Sequence, residues 1–444
     1  MLAQAASWDD VLSPYIYVFY ASFLVSFLFT PVMRTVATFF NIIDEPDRIR
    51  KMHRTPVAYL GGVAVFLGLL AGLATSQFLT LHRLEPGWPE HLVIKFSIVV
   101  GACVIVLLGL WDDIQRVSPA VKIAGQVFAA LMLLVDGVGT KIAGPGLAFL
   151  YRLLQAKFGA PALSSEVFDV IVVIVSSMSV IAIIVFCCNA TNLMDGLDGL
   201  CGGVTAIISA GFLFLAVNLA MFGGGLGTNW DGLRVVLALA LLGAVLGFIP
   251  YNFNPASIFM GDTGSMLLGY TCGVLIVLMG QGQHPKWFLA SMVMFALPVL
   301  DTALAFARRW VNGRPLFSAD KFHIHHQFVS RGFSVKQTVI LMYGMAIGFA
   351  VLGSLIVFLR TRYAVAFWMV IFGCLLVAAY KMGMVHERKA AVEPKRIGEG
   401  AAEGATAVES EEAGVIEIVD APQAPESPSV SPHTWPTASQ PRTL

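Results

Sequence analysis

The segment Asn189-Ala-Thr-Asn-Leu-Met-Asp-Gly-Leu-Asp-Gly199 sets two carboxylates, Asp195 and Asp198, and two carboxamides, Asn189 and Asn192, directly after a long apolar stretch. Ionisable groups beside lipid are costly and persist where they bind an ion, a proton or a substrate. Similar acidic clusters end other apolar stretches: Asp112-Asp113, Gly261-Asp262-Thr263-Gly264-Ser265, and Asp320 just before His323-Ile-His-His326. Carboxylates without sulfur ligands favour a hard cation such as Mg²⁺, which keeps waters and is shared with substrate phosphates. Arginine and lysine nearby would hold further phosphate charge. Phosphoryl transfer needs this combination, because its catalysis is mostly positioning and charge neutralisation. A carboxylate left over can serve as general base. The rival class is a proton-coupled transporter, in which Asp and His relay protons. Transporters tend to place such groups at mid-membrane on broken helices, often in paired repeats. Here the groups cluster at helix ends, and no internal repeat is apparent.

The elements that must position these groups are membrane helices. Of 444 residues, 57% are hydrophobic and 13% charged, against roughly a quarter charged in soluble domains. An all-α polytopic integral membrane protein follows, since so much apolar surface has no other solvent. The formal net charge is zero, so nothing points to nucleic acid. The six cysteines all fall in apolar segments and read as small core residues. The start of the chain is acidic (Asp9, Asp10) and lacks the basic residues of a cleavable signal.

Stretches of about 17 to 25 apolar residues can span a bilayer. They fall at 14–40, 57–80, 92–111, 119–136, 167–188, 200–222, 233–250, 264–280, 287–307, 335–359 and 363–382, eleven expected helices. The Gly/Pro-rich region 139–166 reads as an extracytoplasmic loop with room for a short hairpin. With eleven spans, the connections 41–56, 112–118, 189–199, 251–263 and 308–334 share one side, and every acidic or histidine motif lies in that set. The same connections hold Arg48, Arg50, Lys51, Arg54, Arg116, Arg308, Arg309, Arg314, Lys321 and Arg331. Short cytoplasmic loops are enriched in such residues. The expected arrangement is therefore a plasma-membrane protein with its N-terminus outside, its C-terminus inside and its motifs cytoplasmic. Residues 1–384 form the membrane domain. The tail 385–444, rich in Glu, Ala, Pro and Ser, cannot bury a core and is expected to be disordered.

Each motif has a plain structural reading beside the functional one. A negative pair at the end of a helix, as at Asp112 and Asp113, opposes the helix dipole and so argues for a use. Asp195 or Asp198 could cap the following helix, but capping explains one carboxylate, not two with two asparagines. Asp262 could open a helix, and cap and ligand coexist, since helix N-termini attract phosphate. His323, His325 and His326 are expected in a loop. Without cysteine or carboxylate at zinc spacing, they are better suited to touch a diphosphate or a sugar.

Taken together, Gly109-Leu-Trp-Asp-Asp113, Asn189 to Gly199, Asn252-Phe-Asn-Pro-Ala256 with Phe259-Met-Gly-Asp-Thr-Gly-Ser265, and His323-Ile-His-His326 closely resemble the polyprenyl-phosphate N-acetylhexosamine-1-phosphate transferases, over residues 14 to 382. The resemblance implies transfer of a sugar 1-phosphate from a UDP-sugar to a lipid phosphate, with release of UMP. It also implies a need for Mg²⁺, with Mn²⁺ an acceptable substitute. The stretch Ser318-Ala-Asp-Lys-Phe-His-Ile-His-His326 with Arg331-Gly-Phe-Ser334 looks like the branch that uses UDP-GlcNAc. That branch starts O-antigen, enterobacterial common antigen, teichoic acid or arabinogalactan-type polymers. The peptidoglycan branch, using UDP-MurNAc-pentapeptide, typically has three consecutive histidines followed by Phe-Glu, absent here. Gln327 stands where a basic residue commonly follows the histidines, so another UDP-N-acetyl sugar remains an alternative.

By the same resemblance, Asp262 is the direct magnesium ligand with Asp195 also on the metal, and the Asp112–Asp113 pair, Asp112 first, is a general base toward the lipid phosphate or a support for the metal. Asp195, Asp198, Asn189 and Asn192 contact nucleotide and diphosphate, as do His325 and His326. Phe259 stacks on uracil, and Asn252 belongs to the same substrate-binding set. Lys51 and His53 approach the nucleotide, Arg116 and Lys122 the lipid phosphate, and Lys321 and His323 the sugar. The implied partners are UDP-GlcNAc, undecaprenyl phosphate and the lipid bilayer, with a homodimer left open.

Overall fold

Apolar runs of this length become helices because backbone groups in hydrocarbon must be satisfied within their own segment. The computed structural model describes residues 8–44, 56–82, 94–159, 163–222, 229–281, 285–313 and 323–381. The expected tail and the central part of the first basic loop lie outside them. In chain order the helices are α1 (Trp8–Leu12), α2 (Ile16–Phe39), α3 (Gly61–His82), α4 (Phe96–Gln115), α5 (Pro119–Val135), α6 (Gly144–Phe158), α7 (Ser165–Met194) and α8 (Leu200–Phe222). They continue with α9 (Asn229–Asn252), α10 (Gly261–Gly280), α11 (Lys286–Met294), α12 (Ala296–Val311), α13 (Ile324–Ser330), α14 (Val335–Val357) and α15 (Thr361–Lys381). Two short antiparallel strands, β1 (Ile43–Asp44) and β2 (Val57–Ala58), flank the first basic loop.

All eleven expected segments are helical, with differences. Among the described residues eight helices are long and apolar enough to cross a membrane. The expected span 287–307 is a broken pair, α11 and α12, bent by 70° at Phe295, and counts as a ninth. Pro119–Val135 and Thr361–Leu375 are shorter apolar helices. The hairpin allowed for in 139–166 is replaced by α6. Pro145 sits in its first turn, and it ends at Gly159, whose φ of 60° stops the helix. The functional segments are also more helical than expected. Helix α7 continues to Met194 and so carries Asn189 and Asn192 on its last turns.

Helix α10 is the centre of the bundle. It packs against α4 and α7 and touches α3, α8, α9 and α11. Every residue from Gly261 to Gly280 is buried except Asp262. A carboxylate at the one solvated position of a central helix is placed for use rather than for stability. The opposite end is tied by other polar contacts. Arg234 donates to Asp231 and to the Leu278 carbonyl, and Ser97 N–H donates to Asp136.

Candidate active site

Asp113, in the last turn of α4, supplies the start of α10. Its Oδ1 accepts from Asp262 N–H at 2.8 Å, and its Oδ2 from Thr263 N–H at 3.1 Å and Thr263 Oγ1 at 2.7 Å. The first N–H groups of a helix have no internal partner, and a carboxylate there satisfies them and meets the positive end of the dipole. The approach requires Gly261. Its φ is +70°, and a Cβ there would lie 2.5 Å from Asp113 Oδ2. With this cap from a distant helix, α10 begins at Gly261, three residues before the expected span, and Asp262 stands in its first turn.

Asp112, one residue earlier, faces the other way round α4. Its Oδ1 accepts from Val117 N–H at 2.7 Å, and its Oδ2 lies 2.6 Å from Lys122 Nζ. The same ammonium is 2.6 Å from Asp262 Oδ2. Asn192 holds the other oxygen, donating to Asp262 Oδ1 at 2.8 Å and to Ser265 Oγ at 3.0 Å. Three other helices, α4, α5 and α7, thus converge on Asp262, each through a residue at least 70 positions from it in sequence. Asn189 lies one turn deeper and donates to Gln126 and to the Val185 carbonyl, both at 2.7 Å. It ties α7 to α5.

Asp195 is the residue after α7. Loss of solvation pushes its pKa up to about 8, with Asp262, Asp113 and Asp198 adding to the rise. The side chain keeps a solvated edge, yet protein surrounds it densely enough for desolvation to dominate. Asp198 accepts from Asn254 Nδ2 at 2.9 Å and Ala256 N–H at 3.0 Å. Asn252 is buried, accepting from Gly199 N–H and donating to the Ile258 carbonyl. These two expected functional residues therefore also hold the turn 252–258 against the 195–199 loop. Phe259 is half-buried, hydrogen-bonded through its backbone to Ala58 and Gly61, with its ring tilted against Tyr59 at 5.9 Å. Arg116 is exposed at the end of α4 with a φ of 51°.

The histidines are not in a loop. His323 caps α13 and His325 and His326 form its first turn. His323 Nδ1 lies 2.9 Å from Asp301 Oδ2, and Ile324 N–H donates to Asp301 Oδ1 at 2.8 Å. His325 is fully buried, and neither ring nitrogen has a hydrogen-bond partner among the described residues. Burial holds its pKa down at about 3. Its ring lies against Gly196, where a Cβ would stand 2.4 Å from Nε2. The histidine helix is thereby joined to the 195–199 loop. Lys51, His53 and Lys321 lie outside the described residues.

The arrangement brings together Asp112, Asp113, Lys122, Asn192, Asp195 and Asp262, with Asp198, Asn252 and Phe259 one layer out. Sequence reading missed Asp301, whose signal was an acidic residue inside an expected span. It also missed Gln126 and Ser265, polar residues too common in helices to stand out. Among the described residues no three His, Cys, Asp or Glu side chains form a metal-binding group. Two carboxylates, Asp112 and Asp262, do converge on the Lys122 ammonium, each 2.6 Å from its Nζ. A pair of carboxylates that leaves other positions to water and phosphate suits Mg²⁺.

Residues 95–280 match the family described as Glycosyl transferase family 4. The chain is 31% identical over 339 residues to a probable undecaprenyl-phosphate N-acetylglucosaminyl 1-phosphate transferase of Bacillus subtilis, covering 76% of this chain and 83% of that one. The chain belongs to glycosyl transferase family 4, among the polyprenyl-phosphate N-acetylglucosaminyl 1-phosphate transferases. The family 4 match takes in Asp112, Asp113, Lys122, Asn189, Asn192, Asp195, Asp198, Asn252, Phe259 and Asp262, while Asp301 and the histidines fall beyond it. A decaprenyl-phosphate N-acetylglucosaminephosphotransferase of Mycobacterium tuberculosis is 31% identical over 341 residues, 72% of this chain and 77% of its own. An undecaprenyl-phosphate alpha-N-acetylglucosaminyl 1-phosphate transferase of Escherichia coli is 25% identical over 328 residues, 72% of this chain and 78% of its own.

Proposed function

We propose that the protein transfers N-acetylglucosamine 1-phosphate from UDP-GlcNAc to undecaprenyl phosphate, releasing UMP, at the cytoplasmic face of the plasma membrane. The observation that carries this reading is Lys122 Nζ standing 2.6 Å from both Asp112 and Asp262 at the solvated end of a buried helix. An oxygen of the lipid phosphate forms a new bond to the β-phosphorus of the donor, and the bond from that phosphorus to the oxygen bridging to the α-phosphate breaks. The leaving group is UMP. One phosphoanhydride replaces another, so added UMP should run the reaction backwards.

Asp262 and Asp112 would hold Mg²⁺, with Asp195 close enough to add to the negative field. When bound, the ion neutralises charge on the diphosphate and draws off electron density from the reacting phosphorus. The protein groups do the rest. Asn192 fixes the rotamer of Asp262, and Asp113 fixes the helix that bears it. Lys122 donates to incoming phosphate oxygens, a charge-assisted bond stronger than a neutral one. Both oxygens of Asp112 already have donors, which favours a charge-holding part for it over proton abstraction. His323, His325 and His326 lie on the side where the sugar and diphosphate would sit, across Gly196 from Asp195.

The test is an assay of membranes with undecaprenyl phosphate, radiolabelled UDP-GlcNAc and Mg²⁺, separating lipid-extractable product and nucleotide. Label in the lipid with equimolar UMP supports the reading. Release of UDP would mean glycosyl transfer without phosphate and would overturn it.

A further inference from the structure

Asp301 lies on α12 and is 1% exposed. A carboxylate so deeply buried is stable only with strong donors. Among the described residues it has two, the His323 imidazole Nδ1 at 2.9 Å and the Ile324 N–H at 2.8 Å. One side chain thus holds both the ring of His323 and the first free N–H of α13. The ring of His323 stacks on that of His325, 5.7 Å apart and within 5° of parallel. His325 in turn rests on Gly196, next to Asp195. A continuous path of packed groups runs from Asp301 to the carboxylate cluster.

We infer that Asp301 is a positioning residue for the transfer reaction, acting through His323. A carboxylate facing Nδ1 selects the tautomer with the proton on that nitrogen and leaves Nε2 as the atom free to meet a ligand. A neutral imidazole ordinarily favours the proton on Nε2, so the choice is imposed by the protein. Because Asp301 also holds Ile324, the register of α13 and the orientation of His323 are set by one group. The catalytic part of this inference rests on the transferase reading, whereas the tautomer assignment does not.

The experiment uses the full-length protein in detergent or nanodiscs. Histidine is ¹⁵N-labelled, and the His323 signals are identified by their loss in His323→Gln. Wild type should show His323 protonated at Nδ1, and Asp301→Asn should reverse it, since the new amide donates to Nδ1. An unchanged tautomer would overturn the inference, even if the protein proved not to transfer GlcNAc 1-phosphate. Asp301→Asn keeps the volume and the acceptor for Ile324, so its melting temperature should stay near wild type. Its kcat should fall by about a hundredfold, as for a reacting group displaced by about an ångström, with the donor KM changed less. In the double variant Asp301→Asn with His323→Gln, the loss should be no greater than in the worse single variant. Losses that multiply, or Asp301→Asn turnover within threefold of wild type, would show that Asp301 does not act through His323.

Discussion

Asn192 of α7 donates its amide to Oδ1 of Asp262 on α10 at 2.8 Å, across 70 positions of sequence. The bond fixes the one solvated residue of a helix that is otherwise buried, and so aims its second oxygen at Lys122. Loss of an orienting neutral hydrogen bond is worth about 1 kcal/mol, more where the partner is charged. Asn192→Ala should lower turnover by about tenfold with little change in melting temperature. Asn192→Asp, which sets a like charge beside Asp262, should lose much more, and equal activity of the two variants would contradict the orienting role.

Asp262→Asn should remove nearly all turnover while insertion and folding persist. Losing a ligand that neutralises phosphate charge raises the barrier by several kcal/mol, on the order of a thousandfold or more in rate. Chelation with EDTA should abolish transfer by wild type, and Mg²⁺ or Mn²⁺ should restore it. Mn²⁺ binding followed by electron paramagnetic resonance checks the ligand role apart from activity. Undiminished Mn²⁺ affinity in Asp262→Asn would exclude direct coordination.

Lys122→Met removes the ammonium that sits between Asp112 and Asp262. Removing one partner leaves like charges facing each other in a partly buried place. Its melting temperature should fall in EDTA and recover with millimolar Mg²⁺, a steeper metal dependence than wild type shows. Turnover should remain low even with the ion, because the donor to phosphate is gone.

His325 makes stability depend on pH. Its folded pKa is about 3, below the value of about 6.5 for an exposed histidine. Between these values the unfolded chain binds the extra proton, so the contribution is whole above about pH 6.5 and is lost as pH falls toward 3. His325→Phe should be less sensitive across this window, as read from melting temperatures at pH 7 and pH 5. An equal decline in both proteins would assign the loss to other groups.

Gln327 follows the histidines on α13, its N–H donating to the His323 carbonyl at 3.0 Å. If this helix reads the sugar, Gln327→Arg should change the ratio of UDP-GlcNAc to UDP-GalNAc used in competition. A single pocket hydrogen bond discriminates by about 1 to 3 kcal/mol. The same ratio in wild type and variant would place sugar choice elsewhere.

The membrane class, the helical nature of the apolar segments and the acidic motifs were legible in the sequence, because apolar length and charge placement are local properties; the count of eleven spans was not, since eight helices, or nine with the bent pair, are of membrane length among the described residues. The motif residues Asp112, Asp113, Asn192, Asp195 and Asp262 could be named for the same reason. What each one does was not legible. Asp112 and Asp113 are neighbours with the same side chain, yet one meets Lys122 and the other caps α10, because adjacent positions on a helix point about 100° apart. Asn252 and Asp198 read as substrate contacts, while in the fold they also clamp a turn. Asp301 belongs to no motif and was not singled out from the sequence; its partners His323 and Ile324 are met only in the folded chain. Which donor fills which carboxylate is decided by distances between chain segments far apart in sequence. Those distances follow from how the helices pack, so the side-chain partnerships belong to the tertiary structure alone.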